Sequence, residues 1–199
     1  MRIGKQSKVL TSRQVQIMLS YLRDRRNGTR NSVIFLLSVK AGLRAKEIAN
    51  LKWAMVVDSS GTLGTSIHLT NKSSKGRSGR IIPLNKDLRR HLEKLYVSER
   101  KASGFDLRHS NVIRTERSSS ASAQTIVNIF QTWYRDLGFV GCSSHSGRRT
   151  FITNAARRIG QFGGSLRDVQ VLAGHQNLQT TQSYIDYDSE SHRLIVNAI

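Results

Sequence analysis

The sequence predicts a mainly α fold with a small antiparallel β-sheet, an α+β class. Two observations carry that assignment. Apolar residues recur at three- and four-residue intervals through most of the chain, and between Met55 and Leu84 the pattern shortens to brief β-rich runs separated by polar turns.

The elements follow in order. Thr11 and Gln14 have the spacing of a capping box and open a first helix over 11–26, with Val15, Met18, Leu19 and Leu22 on one face. Asn31 can cap a second helix over 33–41, which is apolar on nearly every side and so is expected to cross the core. Gly42 lets the chain turn into a short helix over 45–51. Three short strands are expected over 55–57, 66–70 and 80–84, with a basic hairpin tip over 71–80. A helix over 86–102 carries Leu88, Leu92 and Leu95, and 103–123 reads as a polar, mobile connection. Further helices are expected over 124–137, 146–159 and 166–173, then a short one near 180–185 and a final segment through Ile199. The division is a basic N-terminal extension (1–10), one domain (11–185) and a C-terminal segment (186–199).

Composition narrows the function classes. The chain has 199 residues, with 32 Lys and Arg against 13 Asp and Glu, a net charge of +19. The excess lies within the segments expected to fold, since 186–199 holds three acids against Arg193. Such a body gains counterion-release free energy on phosphate backbones, which makes nucleic acid the expected partner and an anionic membrane a weaker one. A single cysteine, Cys142, excludes an internal disulfide, and no Cys/His cluster has zinc spacing. Neither a signal peptide nor an apolar run near the ~18 residues of a membrane span is present, so a soluble, cytoplasmic and nucleoid-associated protein is expected.

Four pieces carry candidate chemistry. Gly42-Leu-Arg44 places Arg44 just after a glycine turn, with Glu47 one helical turn on; alone, that is an ordinary ion pair. His145-Ser-Gly-Arg148-Arg149 puts cations at the start of a helix, where the macrodipole disfavours them unless an anion compensates. Gly174-His175 is followed by Thr181-x-x-Tyr184. The hairpin tip offers Lys72, Lys75, Arg77 and Arg80 without an acid, suited to phosphate or minor-groove contact.

Taken together and in order, these pieces resemble the catalytic domain of the tyrosine recombinases, the phage-integrase family, over about residues 9–190. The family pattern is an Arg in a Gly-Leu-Arg-x-x-Glu turn, a hairpin Lys, His-x-x-Arg, then Gly-His with a Tyr nine residues beyond that His in Thr-x-x-Tyr. Three departures accompany the match. Arg149 stands where many members have His. Family members typically carry an N-terminal helical DNA-clamping domain, whereas about ten residues precede the match here, as in a naturally minimal recombinase or a fragment. The hairpin lysine is Lys75 counted back from Pro83 and Lys72 counted forward from Thr70; the Pro83 side is the more distinctive anchor and favours Lys75.

The resemblance implies a site-specific recombinase that needs no metal, ATP or small-molecule cofactor and acts on double-stranded DNA as a tetramer on paired sites. It also implies roles. Tyr184 is the nucleophile, Arg44 and Arg148 hold the non-bridging phosphate oxygens, and Lys75 is the general acid. His145 assists proton transfer, His175 hydrogen-bonds the phosphate, and Glu47 supports the Arg44 helix. Lys72, Arg77, Arg80 and Arg149 are expected to contact DNA. The residue types suit that chemistry, since a phenol can keep the phosphodiester bond energy in a covalent intermediate and planar guanidinium forks neutralise a five-coordinate phosphorus with little reorganisation. A type IB topoisomerase would use nearly the same set but rejoin the same strand, and a non-catalytic DNA-binding regulator would need the charge without Tyr184.

Overall fold

A computed structural model describes residues 6–71, 79–116, 118–185 and 197. Eight α-helices and two strands occur among them: α1 (Ser12–Arg23), α2 (Gly28–Ala41), α3 (Ala45–Ala49), β1 (Ser66–Leu69), β2 (Arg80–Pro83), α4 (Lys86–Glu99), α5 (Ala123–Asp136), α6 (Ser146–Arg158), α7 (Leu166–Ala173) and α8 (Leu178–Gln182). None of these helices is long and apolar enough to cross a membrane.

Helix α2 is the axis of the domain. Val33 through Leu37 are fully buried, so the helix is enclosed on every side, and it packs against α1, α4 and α6. Its start differs from the expectation. Asn27, in the left-handed region at φ +60°, precedes the first turn, and Asn31 lies inside the helix, where its side chain donates to the Arg26 carbonyl and accepts from Arg30. Helix α1 begins as predicted, with Thr11 and Gln14 forming a reciprocal capping box.

The sheet has two strands, paired antiparallel with Leu69 opposite Arg80 and Ser66 opposite Pro83. Alternation turns Ile67, Leu69, Arg80 and Ile82 inward. The third expected strand is instead a 3₁₀ turn, Trp53–Met55, with Val57 joined to Leu63 by a single bridge. Trp53 is fully buried and stacks at a tilt on Tyr96, 4.9 Å between ring centres. A buried indole fixes the backbone here more firmly than β-propensity can.

The connection between α4 and α5 is also different from the expected mobile linker. Val112, Ile113 and Ala121 are buried, Val112 N donates to the Leu51 carbonyl and Trp53 N to the Ser110 carbonyl. Residues 7–10 likewise pack on the domain rather than extending from it. Leu10 is buried with its N–H bonded to Thr150 on α6, and Lys8 N donates to the Gly141 carbonyl.

A second, much smaller apolar cluster lies apart from the main core. It consists of Ile152 of α6 with Val169 and Ala173 of α7, flanked by Phe151, Ala155, Ile159, Leu166 and Tyr184. It joins α7 to α6, with Tyr184, just past α8, packed on its edge.

Candidate active site

Three arginines converge where α2 and α7 end. The last carbonyls of a helix have no intrahelical partner and carry the negative end of the macrodipole, so they attract cations. Arg148, in the first turn of α6, donates from Nη1 to the Gly42 carbonyl at 2.5 Å and from Nη2 to the Ala173 carbonyl at 2.7 Å. Arg44 reaches the Gly174 carbonyl from Nη2 at 3.3 Å, and Arg80 reaches the Leu172 carbonyl from Nε at 2.8 Å. The cation that sits awkwardly at the start of one helix is thus compensated by the ends of two others.

Against these cations the described residues set one carboxylate, Glu47, which is fully buried. Glu47 Oε2 accepts the Arg44 backbone N–H at 2.9 Å and Oε1 accepts Arg44 Nη1 at 3.0 Å. Arg80 approaches from the sheet with Nη1 to Oε1 at 2.9 Å and Nη2 to Oε2 at 3.1 Å. Burial pushes the Glu47 carboxyl upward, but the Arg80 and Arg44 bonds outweigh it and hold the group below the usual carboxylate range. Burial, and then the Arg44 cation, lower the Arg148 guanidinium to about 10, which leaves it charged at neutral pH.

His175 follows the α7 cap, where Gly174 turns the chain at φ +63°. Its Nε2 lies 2.9 Å from Arg148 Nη2 and its Nδ1 lies 3.0 Å from Thr181 Oγ1. Desolvation, then the neighbouring Arg148, Arg44 and Arg80, push the imidazole down to about 4. It is neutral at physiological pH.

Tyr184 stands just past α8, half-buried, its ring stacked on His175 with centres 5.5 Å apart. Thr153 of α6 donates to its carbonyl at 3.2 Å, and the Arg149 guanidinium lies 5.7 Å from its ring centre. Tyr184, Arg148, Arg149 and His145 line one open cavity of about 240 Å³ together with Gln6, Ser7, Thr180 and Ser183. His145 is exposed at its edge.

Arg44, Glu47, His145, Arg148, His175 and Tyr184, far apart in sequence, are therefore brought to one place. Arg80 is a correction. Expected to contact DNA from the hairpin, it has a side chain only 3% exposed and is bound to Glu47, because strand parity puts it on the inward face with Ile82. That parity was the available signal. Arg149 lines the cavity and also donates to the Gln6 side chain. Lys72, Lys75 and Arg77 lie outside the described residues. Thr181, fully buried and bonded to His175, joins the site; the Thr-x-x-Tyr pattern names it but assigns it no role.

The phage integrase family model matches residues 8–191. Among curated proteins, the tyrosine recombinase XerA of Pyrococcus horikoshii is 30% identical over 177 residues, spanning 89% of this chain and 56% of that protein. The tyrosine recombinase XerC of Brucella melitensis is 29% identical over 163 residues, 81% of this chain and 47% of that protein. The chain thus spans about half the length of these relatives. The Tn1549 transposon integrase, solved with a circular intermediate DNA, superposes with a TM-score of 0.75 at 17% identity over 99% of this chain and 67% of that one. The crystal structure of XerA recombinase gives 0.74 at 21% identity over 96% and 64%. With the family model covering nearly all of the sequence and the fold matching throughout, the chain belongs to the phage integrase family and has the fold of a tyrosine recombinase catalytic domain.

Proposed function

We propose that this chain is a site-specific DNA recombinase, metal- and ATP-independent, that cuts and rejoins double-stranded DNA through a covalent 3′-phosphotyrosyl intermediate. The observation that carries the reading is the charge balance beside Tyr184: among the described residues Arg44 and Arg80 bind one carboxylate, Glu47, and Arg148 binds carbonyls and His175 instead, which makes the site cationic and open on the side of Arg44, whose side chain is 27% exposed. An anion with non-bridging oxygens completes it.

In the reaction, the Tyr184 hydroxyl oxygen attacks phosphorus and gives up its proton, with His145 at the cavity edge as acceptor. Arg44 and Arg148 take the charge that grows on the non-bridging oxygens. The P–O5′ bond breaks, and Lys75 supplies the proton that the departing 5′ oxygen needs. Attack by a 5′ hydroxyl from another duplex reverses the sequence and exchanges strands. Neutral His175 stacks on the nucleophile and stands on Arg148, which suits it to holding both in register.

Relatives and neighbours support the partner. XerH site-specific recombinase has been solved bound to its difH substrate and a lambda integrase dimer bound to a core site, and a net charge of +19 favours any phosphate backbone. Assembly as a tetramer on paired sites, with 186–199 docking on a neighbouring subunit and the nucleoid as the place of action, belongs to the same proposal; residues 186–196 and 198–199 lie outside the described residues. Incubation with nicked duplex DNA tests the chemistry. A protein–DNA adduct stable on a denaturing gel is the expected product, and its absence at saturating protein overturns the proposal.

A further inference from the structure

We infer that Arg80 is a positioning residue: it clamps the Glu47 carboxylate from the sheet side and so fixes the orientation in which Glu47 presents Arg44 to the site. The part played by Arg44 rests on the function proposed above; the part played by Arg80 rests on geometry.

A carboxylate offers about four acceptor directions, and Glu47 uses four, two toward Arg44 and two toward Arg80. Without Arg80 the carboxylate would be held from the Arg44 side alone, with two of its four acceptor directions empty, and could tilt with Arg44 instead of fixing it. Arg80 also holds the other surface on which Arg44 rests. Its Nε is bonded to Leu172 O, two residues before the Gly174 carbonyl that accepts Arg44 Nη2. Both supports of Arg44 are therefore tied to one buried side chain.

Two further observations fit positioning better than the alternatives. At 3% side-chain exposure Arg80 has no face to offer DNA, and a buried ion pair retained only for stability is commonly matched by an apolar pair of similar volume. The cap of α7 is also shaped around it. A Cβ on Gly174 would sit 2.8 Å from Arg80 Nη1.

The test uses the full chain and single-turnover cleavage of nicked DNA at saturating protein, with Arg80→Gln, Arg80→Lys, Arg44→Ala and the double variant Arg44→Ala/Arg80→Gln. Arg80→Gln is expected to slow cleavage about 10²-fold, the scale of an ~1 Å misplacement, with an unchanged DNA dissociation constant. Arg80→Lys keeps the buried charge but not the fork and should recover part of the rate. The double variant should be no slower than Arg44→Ala alone, since Arg80 acts through Arg44. Additive losses, or a loss of binding equal to the loss of rate, overturn the inference.

If the wild-type chain forms no adduct, the proposed function falls while Arg80 is still judged by ¹³C NMR titration of the Glu47 carboxyl. That group faces Arg44 from α3, Arg80 from β2 and the Arg148 cation from α6. Its midpoint should rise in Arg80→Lys, and an unmoved midpoint overturns the clamp.

Discussion

Arg148 Nη2 and His175 Nε2 lie 2.9 Å apart, and a guanidinium can only donate, so Nε2 must be the unprotonated nitrogen. The ring proton then sits on Nδ1 and points at Thr181 Oγ1, 3.0 Å away. A histidine held this way in the free protein accepts from the site rather than donating into it. Donating from Nε2 to a phosphate requires both that Arg148 leave that nitrogen and that the ring proton move to it from Nδ1.

This pairing gives a pH signature. The folded His175 titrates at about 4 and an unfolded one at 6.5, so the unfolded state takes up the proton first as pH falls. Its contribution to stability should be complete above about pH 6.5 and be lost as pH drops from there through 4. ¹⁵N NMR should show the Nδ1–H tautomer at neutral pH, and His175→Gln should flatten the thermal stability profile across that window. An imidazole that titrates near 6.5 in the folded protein contradicts the arrangement.

Tyr184→Phe should abolish the covalent adduct and leave duplex binding nearly intact, because the ring stack on His175 survives the loss of the hydroxyl. Tyr187, outside the described residues, is the rival nucleophile. An undiminished adduct in Tyr184→Phe would transfer the role.

If Arg44 and Arg148 act on transition-state charge as proposed, replacing either with Ala should slow single-turnover cleavage by ~10² or more with little change in DNA affinity. The two should differ in stability. Arg148→Ala leaves the Gly42 and Ala173 carbonyls without their partner, at about 1–3 kcal/mol for each group left unsatisfied, whereas Arg44 is part-exposed. Chemical denaturation of both variants checks the contrast.

Gly174→Ala should destabilise by about 1–2 kcal/mol from its left-handed backbone alone, and by more from the approach of the new methyl to Arg80. Cleavage should fall beyond what the folded fraction explains. Equal loss of folding and of rate would show that the cap acts only on stability.

If Lys75 protonates the leaving oxygen, Lys75→Ala should be rescued by a substrate whose 5′ leaving group is a thiolate, which needs no proton. Lys72→Ala should need no such rescue. The reverse pattern moves the role to Lys72, and rescue of neither removes the hairpin from the chemistry.

The residues most legible from sequence were those whose local spacing repeats a functional pattern. Arg44 with Glu47, His145 with Arg148, and His175 with Tyr184 each lie within nine residues of one another in sequence, and the structure brings all six together. What escaped depended on distant partners. Residues 103–123 hold few apolar side chains, and their burial comes from pairing with Leu51 and Trp53, which no local period reports. Asn31 looked like a cap because Asn favours caps, yet Arg26 and Arg30 satisfy it within the helix. Arg80 looked like a DNA contact because its sequence neighbours are basic, whereas its strand neighbour Ile82 was the better guide.

The separate cluster of Ile152, Val169 and Ala173 has a thermodynamic consequence. Local opening free energy scales with the apolar surface that opening exposes, and α7 adds only Val169 and Ala173 to its apolar cluster, the rest of its hold being the arginine bonds to its last carbonyls, whereas α2 buries Val33 through Leu37 in succession. Backbone amides of the segment carrying His175 and Tyr184 should therefore exchange with solvent deuterium well before those of α2, by sub-global detachment rather than unfolding. Lifting that segment breaks the Arg148, Arg44 and Arg80 bonds to the last carbonyls of α7 together, so Tyr184 leaves its place only as the three guanidinium groups lose theirs, and opening of the segment and loss of the cationic site are one event.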